Sequence, residues 1–93
     1  MKFRIAADHP ALPGHFPGRP IVPGVVILDH VQQAIARTDA AINAPLKLAQ
    51  VKFVQPLLPE EDAEIALETS SRGWKFRVQR GDTLIASGDI APV

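Results

Sequence analysis

Five of the chain's nine prolines fall between Pro10 and Pro23, in the stretch HPALPGHFPGRPIVPG, together with three of its six glycines. Proline fixes φ and removes a backbone donor, while glycine admits turns, so this stretch is neither a helix nor a central strand. Leu12, Phe16, Ile21 and Val22 are interleaved with the prolines. A proline-rich segment carrying that much apolar side chain reads as an ordered loop wrapped against a core. No internal repeat or low-complexity tract accompanies it.

The loop divides two kinds of periodicity. Before it, Lys2-Phe-Arg-Ile-Ala alternates polar and apolar residues, as a short half-buried strand does. After it, VVILDHVQQAIARTDAAI has helical spacing, and the predicted helix runs from about Pro23 to Ala41, with proline early in its first turn. Val25, Val26, Ile27 and Leu28 are apolar almost all round, the mark of a buried helix, while the half after Gln32 is more polar and approaches solvent. From Leu46 the period becomes two, and Leu46–Gln55, Ala63–Ser70, Trp74–Gln79 and Leu84–Ala91 read as strands. Ser71-Arg-Gly and Arg80-Gly-Asp are tight-turn signals between alternating runs, hence hairpins. The predicted fold is α+β, with an antiparallel sheet curling around one long central helix.

Ninety-three residues make a single domain over 1–93. Ten basic against ten acidic residues give zero formal charge, which argues against gripping nucleic acid along its backbone. With no cysteine, disulfides, thiolate zinc sites and a cysteine nucleophile are excluded. Val22–Leu28 is far too short an apolar run to cross a bilayer, so a soluble cytoplasmic protein without membrane attachment is expected. A domain this small, without disulfides or metal clusters, gains stability by oligomerising, and at least a dimer is expected.

Three features could carry chemistry. Asp29 follows four aliphatic residues within the helix, where a carboxylate is a poor helix former and costly to bury without a partner. Apolar surroundings favour the protonated carboxyl, which suits a general acid, but Asp29 could equally face a solvent gap or bond backbone. His15, in Gly14-His-Phe-Pro, is held at a constrained bend and is the natural base near neutral pH, although a loop histidine is more often structural. At the helix start, Ile21-Val-Pro-Gly offers no capping side chain, so the N–H groups of Gly24 and Val25 are free for a carbonyl oxygen or oxyanion. The alternative for Gly24 is plain packing against a neighbouring strand. His9 reads as a cap of the strand end, His30 lies beside Asp29 on a different helix face, and the three histidines lack metal-ligand spacing. A base, an acid and an oxyanion donor together suit proton removal next to a carbonyl with loss of a β-hydroxyl.

The joint string Gly14-His-Phe-Pro-Gly-Arg-Pro-Ile-Val-Pro-Gly-Val-Val-Ile-Leu-Asp, followed by Gln33, resembles the motif of the hotdog-fold 3-hydroxyacyl-(acyl carrier protein) dehydratases. GHFP, then PGV, then an acid five residues after the glycine and Gln four later, is a specific pattern. Lys52-Phe-Val-Gln-Pro-Leu-Leu-Pro also resembles the family's strand leading into its Pro-Gly-Asp turn, so most of the chain is covered. The chain departs from the family in being shorter, in lacking an N-terminal helix, and in carrying Glu60-Glu61-Asp62 where the turn has Gly-Asp. Asp29 stands where non-isomerising members have Glu, although GHFP is the non-isomerising pattern. Small stand-alone members of this kind also serve aryl-polyene-type acyl-chain pathways.

The resemblance implies a dimeric hotdog hydro-lyase of fatty-acid or related acyl-chain biosynthesis. It would dehydrate a 3-hydroxyacyl thioester to the trans-2-enoyl thioester. His15 is then the base, Asp29 of the other subunit the acid, and the Gly24 N–H the donor to the thioester carbonyl, with Val25, Phe16 and Gln33 at the substrate. No metal or redox cofactor is implied, and the substrate rides on the phosphopantetheine of acyl carrier protein. The implied assembly is a homodimer or higher homo-oligomer, or a heterodimer with another hotdog subunit. Arg19, Arg37, Arg72, Lys75 and Arg77 are candidates to meet the acidic carrier. Two alternatives stay open: a hotdog acyl-thioesterase, and a non-catalytic subunit of a heteromeric dehydratase.

Overall fold

A computed structural model of the chain describes residues 1–10, 21–38, 46–71 and 73–92. The alternating runs form the strands β1 (Lys2–Phe3), β2 (Leu46–Phe53), β3 (Ala63–Ser70), β4 (Gly73–Arg80) and β5 (Thr83–Pro92), and the helix α1 is Gly24–Thr38. All strand pairs are antiparallel, in the order β1-β3-β4-β5-β2. β3, β4 and β5 are the predicted meander, and β4 and β5 extend one residue further at each end than expected. The strand expected over Lys2–Ala6 is only Lys2–Phe3, because Phe3 pairs with Ala63, the first residue of its partner β3. The N-terminal amine and the Met1 carbonyl bond the Ile65 backbone at 2.9 and 2.7 Å, lengthening the junction by one residue.

The period of two sorts the sheet into faces. Ile65, Trp74, Phe76, Val78, Ala86 and Ile90 are buried on one face and form one core cluster with Ile27, Val31, Ala34 and Ile35 of α1. Those helical positions lie at i, i+4, i+7 and i+8, so α1 lays one stripe on the sheet. Fully burying an Ile or Val side chain contributes about 1.5–3 kcal/mol, which outweighs the ~1 kcal/mol forfeited by a missing N-cap. The expectation of a helix start buried all round is corrected: Ile27 is buried and Val26 and Leu28 half-buried, but Val25 is 74% exposed. The expected end of the helix, residues 39–41, lies outside the described residues, as do residues 11–20 of the proline-rich loop.

The turns follow their residues. β4 and β5 join through Gly81-Asp82, with Gly81 at φ +56° and Arg80 opposite Thr83. In the β3–β4 hairpin Ser70 pairs with Gly73, whose φ is +152°. β2 is the long sheet edge, exposed over most of its length and broken by a bulge between Ala49 and Lys52, where Gln50 takes φ +53°.

Candidate active site

The unburied side of α1 carries the acid. At 100° per residue Asp29 lies 200° from the buried Ile27, whereas Val25, Asp29 and Gln33, four residues apart, form one continuous stripe. All three are exposed on the single chain, and the Gln33 Nε2 donates to Asp29 Oδ2 at 2.9 Å. Of the two readings left open for Asp29, the single chain shows the solvent-facing one. The aliphatic residues before it in sequence point around the helix and do not enclose it.

At the N-terminal end of α1 lies a cavity of about 390 Å³ lined by Pro23, Gly24, Ile27, Phe53, Val54 and Leu57, among others. The Pro23 carbonyl accepts from the N–H groups of Val26 and Ile27 at 3.0 and 3.4 Å, closing the first turn. Among the described residues, no acceptor meets the N–H groups of Gly24 and Val25. Gly24 also packs closely against the neighbouring strand: a Cβ there would lie 2.7 Å from Cζ of Phe53. The packing reading of Gly24 holds, since the residue closely approaches Phe53 of β2.

The structure brings Asp29, Gln33 and Val25 onto one face and sets Gly24 at the end of it. His15 and Phe16 lie outside the described residues, as do Arg19 and Arg72. The His30 ring stacks on Phe3 with centroids 4.5 Å apart and planes 10° from parallel, which gives that histidine a packing role. The His9 N–H donates to the Ala6 carbonyl in the turn after β1. Lys75 and Arg77 stand on the sheet face away from α1, with Lys75 opposite both Glu68 and Asp89. Arg37 is exposed in the last helical turn. Among the described residues, no helix is long and apolar enough to cross a membrane.

The acidic turn Glu60-Glu61-Asp62 has work that sequence reading missed. The Glu60 side chain accepts from the Ala7 N–H at 2.8 Å, and its own N–H donates to the Ile5 carbonyl, while its φ is +69°. Asp62 Oδ1 accepts from Arg4 Nε at 2.7 Å. That hydrogen bond, and then the guanidinium charge, hold the Asp62 carboxyl below the usual carboxylate range. Glu61 Oε1 accepts from the Leu58 N–H at 2.8 Å and from Arg80 Nη1 at 3.0 Å. Arg4 and Arg80 are 58 and 19 residues from the acids they meet, so the sequence offers no more than the run of three acids as a signal.

Against known proteins, the ApeI-like family, described as ApeI dehydratase, matches residues 1–89. The 3-hydroxyacyl-(acyl carrier protein) dehydratase FabZ of Anaeromyxobacter sp. (strain Fw109-5) is 28% identical over 98 residues, a match covering 94% of this chain and 62% of that protein. FabZ of Chlamydia trachomatis serovar D is 32% identical, covering 94% and 66%. FabZ of Thermus thermophilus is 34% identical, covering 92% and 51%. The chain thus spans between half and two thirds of the length of these curated relatives.

Proposed function

The chain belongs to the ApeI-like dehydratase family, and from that premise we propose that it dehydrates a 3-hydroxyacyl thioester carried on acyl carrier protein to the trans-2-enoyl thioester, in the cytoplasm, as a hotdog homodimer. The observation that supports this reading is the exposed Val25–Asp29–Gln33 stripe, with Gln33 bonded to the Asp29 carboxyl, on a helix whose N-terminal Gly24 lines a cavity.

In the proposed reaction the Gly24 N–H polarises the thioester carbonyl, which acidifies the α-carbon. His15 takes the α-proton, the electron pair forms the C2–C3 double bond, and the C3–O bond breaks. Asp29, reaching in from the partner subunit, delivers a proton to the departing hydroxyl, so that one water leaves. Gln33 orients the carboxyl through its amide, with Val25 and Phe16 beside the acyl chain. A proton passing from His15 back to Asp29 resets the site. The chemistry is acid–base throughout and needs neither metal nor redox cofactor.

The dimer supplies what the single chain lacks. A second copy laid over the stripe would cover Val25 and take water away from Asp29. The long β2 edge offers a row of backbone groups for antiparallel pairing with its own copy.

Mass spectrometry of a 3-hydroxyacyl-carrier thioester tests the reading. Wild type should remove one water, and both His15→Ala and Asp29→Asn should leave the substrate intact. Release of free acid and thiol would make the protein a thioesterase instead. An untouched substrate with every variant would make it a non-catalytic subunit.

A further inference from the structure

We propose that Arg80 is a positioning residue for the cavity at the start of α1, holding the loop that forms its far wall; the inference rests on that cavity taking the acyl thioester. Arg80 ends β4. Its Nη1 donates at once to the Pro56 carbonyl at 3.1 Å and to Glu61 Oε1 at 3.0 Å. The same Glu61 oxygen accepts from the Leu58 N–H, so one guanidinium and one carboxylate fix both ends of the segment Pro56-Leu57-Leu58. Leu57, between them, is 1% exposed, and its carbonyl accepts from the Val22 N–H at 2.8 Å. Val22 is buried and directly precedes Pro23 and Gly24, where α1 begins.

The chain of contacts therefore runs from Arg80 through Glu61 and Leu57 to Val22 and the free N–H groups of the helix start. Pro56, Leu57 and Gly24 line the same cavity. The Arg80 and Glu61 side chains are about a third exposed (32% and 31%), so the pair is screened less than a fully solvated one. Its charge-assisted bonds to a carboxylate and a carbonyl belong to the stronger class of hydrogen bond. Arg80 meets no reacting atom, so its loss should weaken substrate binding in ground and transition state alike.

The test uses the full chain, 3-hydroxybutyryl and 3-hydroxydecanoyl pantetheine thioesters, and the variants Arg80→Met, Arg80→Lys and Glu61→Gln. Arg80→Met should raise KM for both thioesters about tenfold with kcat within about twofold, the split expected when uniform binding is removed. Arg80→Lys should recover most of the loss, since one ammonium can serve both oxygens. Residue-resolved amide exchange should quicken at Leu58 and Val22 in Arg80→Met and stay unchanged within the β3–β4 hairpin. A fall in kcat at constant KM, or unchanged exchange at Val22, would overturn the proposal. Should Arg80→Met fail to fold, Glu61→Gln serves in its place, with its retained amide oxygen and a KM rise of about threefold expected for a bond weakened rather than removed. If wild type dehydrates neither thioester, it is the dehydratase reading that falls, and the exchange at Val22 still decides the Arg80 linkage.

Discussion

Gly73 shows how little freedom single positions can have in so small a domain. Its φ of +152° is closed to ordinary side chains, and a Cβ there would lie 2.1 Å from the Ile90 carbonyl oxygen, a backbone atom that cannot swing aside. Gly73→Ala should cost about 2–3 kcal/mol or more by urea denaturation, combining backbone strain with overpacking. Gly24→Ala should cost much less, because its obstacle is the half-exposed Phe53 ring, which can turn away. A Gly73→Ala protein as stable as wild type would show that the hairpin had been misplaced. Asp62 makes a prediction in pH. The Arg4 hydrogen bond lowers its carboxyl pKa in the fold, so at acid pH the unfolded state binds more protons and stability rises with pH. The contribution is complete above the unfolded aspartate value of about 3.9 and is lost as pH falls through the lowered folded value. Asp62→Asn should therefore flatten the acid limb of a stability–pH profile, leaving its alkaline limb unchanged; an unaltered acid limb would mean the Arg4 bond does not persist in solution.

The helix is the element where the site is built, and it also shows what was legible beforehand. Buried Ile27, Val31, Ala34 and Ile35 are an ordinary 3.6-residue pattern, so the existence and packing face of α1 could be read from the sequence. The β3, β4 and β5 strands were equally plain, since short turns rich in glycine and charge separate alternating runs. Asp29 was harder to place because a run of four aliphatic residues suggests enclosure, while helical rotation puts the fifth residue outside. Nor was the β2 bulge legible: left-handed backbone usually advertises itself with glycine, and here Gln50 adopts it. The clasp of Glu60, Glu61 and Asp62 was hidden because Ala7, Arg80 and Arg4, which they bond, are distant in sequence. Asp29's position on the outer stripe carries its own prediction. Asp29→Asn keeps the size and the ability to bond Gln33, so its thermal midpoint should stay within about 2 °C of wild type, as surface substitutions usually do. Activity should meanwhile fall on the order of 10²–10⁴-fold, the range for removing a general acid. A variant that instead lost stability along with activity would make Asp29 a structural residue.

At the scale of the whole molecule, three of the more exposed apolar side chains among the described residues flank the start of α1. Val25 is 74% exposed, Phe53 51% and Val54 52%, and Phe53 and Val54 line the cavity at the helix start. A domain of this size buries only about 60–65% of its unfolded surface, and covering this patch with a second copy is the economical way to bury more. Val25→Glu separates the patch from the fold of the single chain. Monomer stability should change by no more than about 0.5 kcal/mol, because the position is already solvated. Sedimentation velocity should nevertheless show the proposed dimer weakened by a factor of about 100, since a charge buried at an interface costs ~3 kcal/mol and each 1.4 kcal/mol is tenfold. The proposed sharing of sites between copies makes a stronger prediction. If His15 and Asp29 of one site come from different subunits, each mixed dimer of His15→Ala with Asp29→Asn holds one site with both substitutions and one site with neither. Random reassociation of equal amounts makes half the dimers mixed, so two inactive proteins should regain about a quarter of wild-type activity, as two-fold symmetry requires. Were both residues of a site to come from one chain, every site in the mixture would carry one substitution and no activity would return. Recovery in the mixture, and its loss when Val25→Glu is added to both partners, would locate the shared site under the patch.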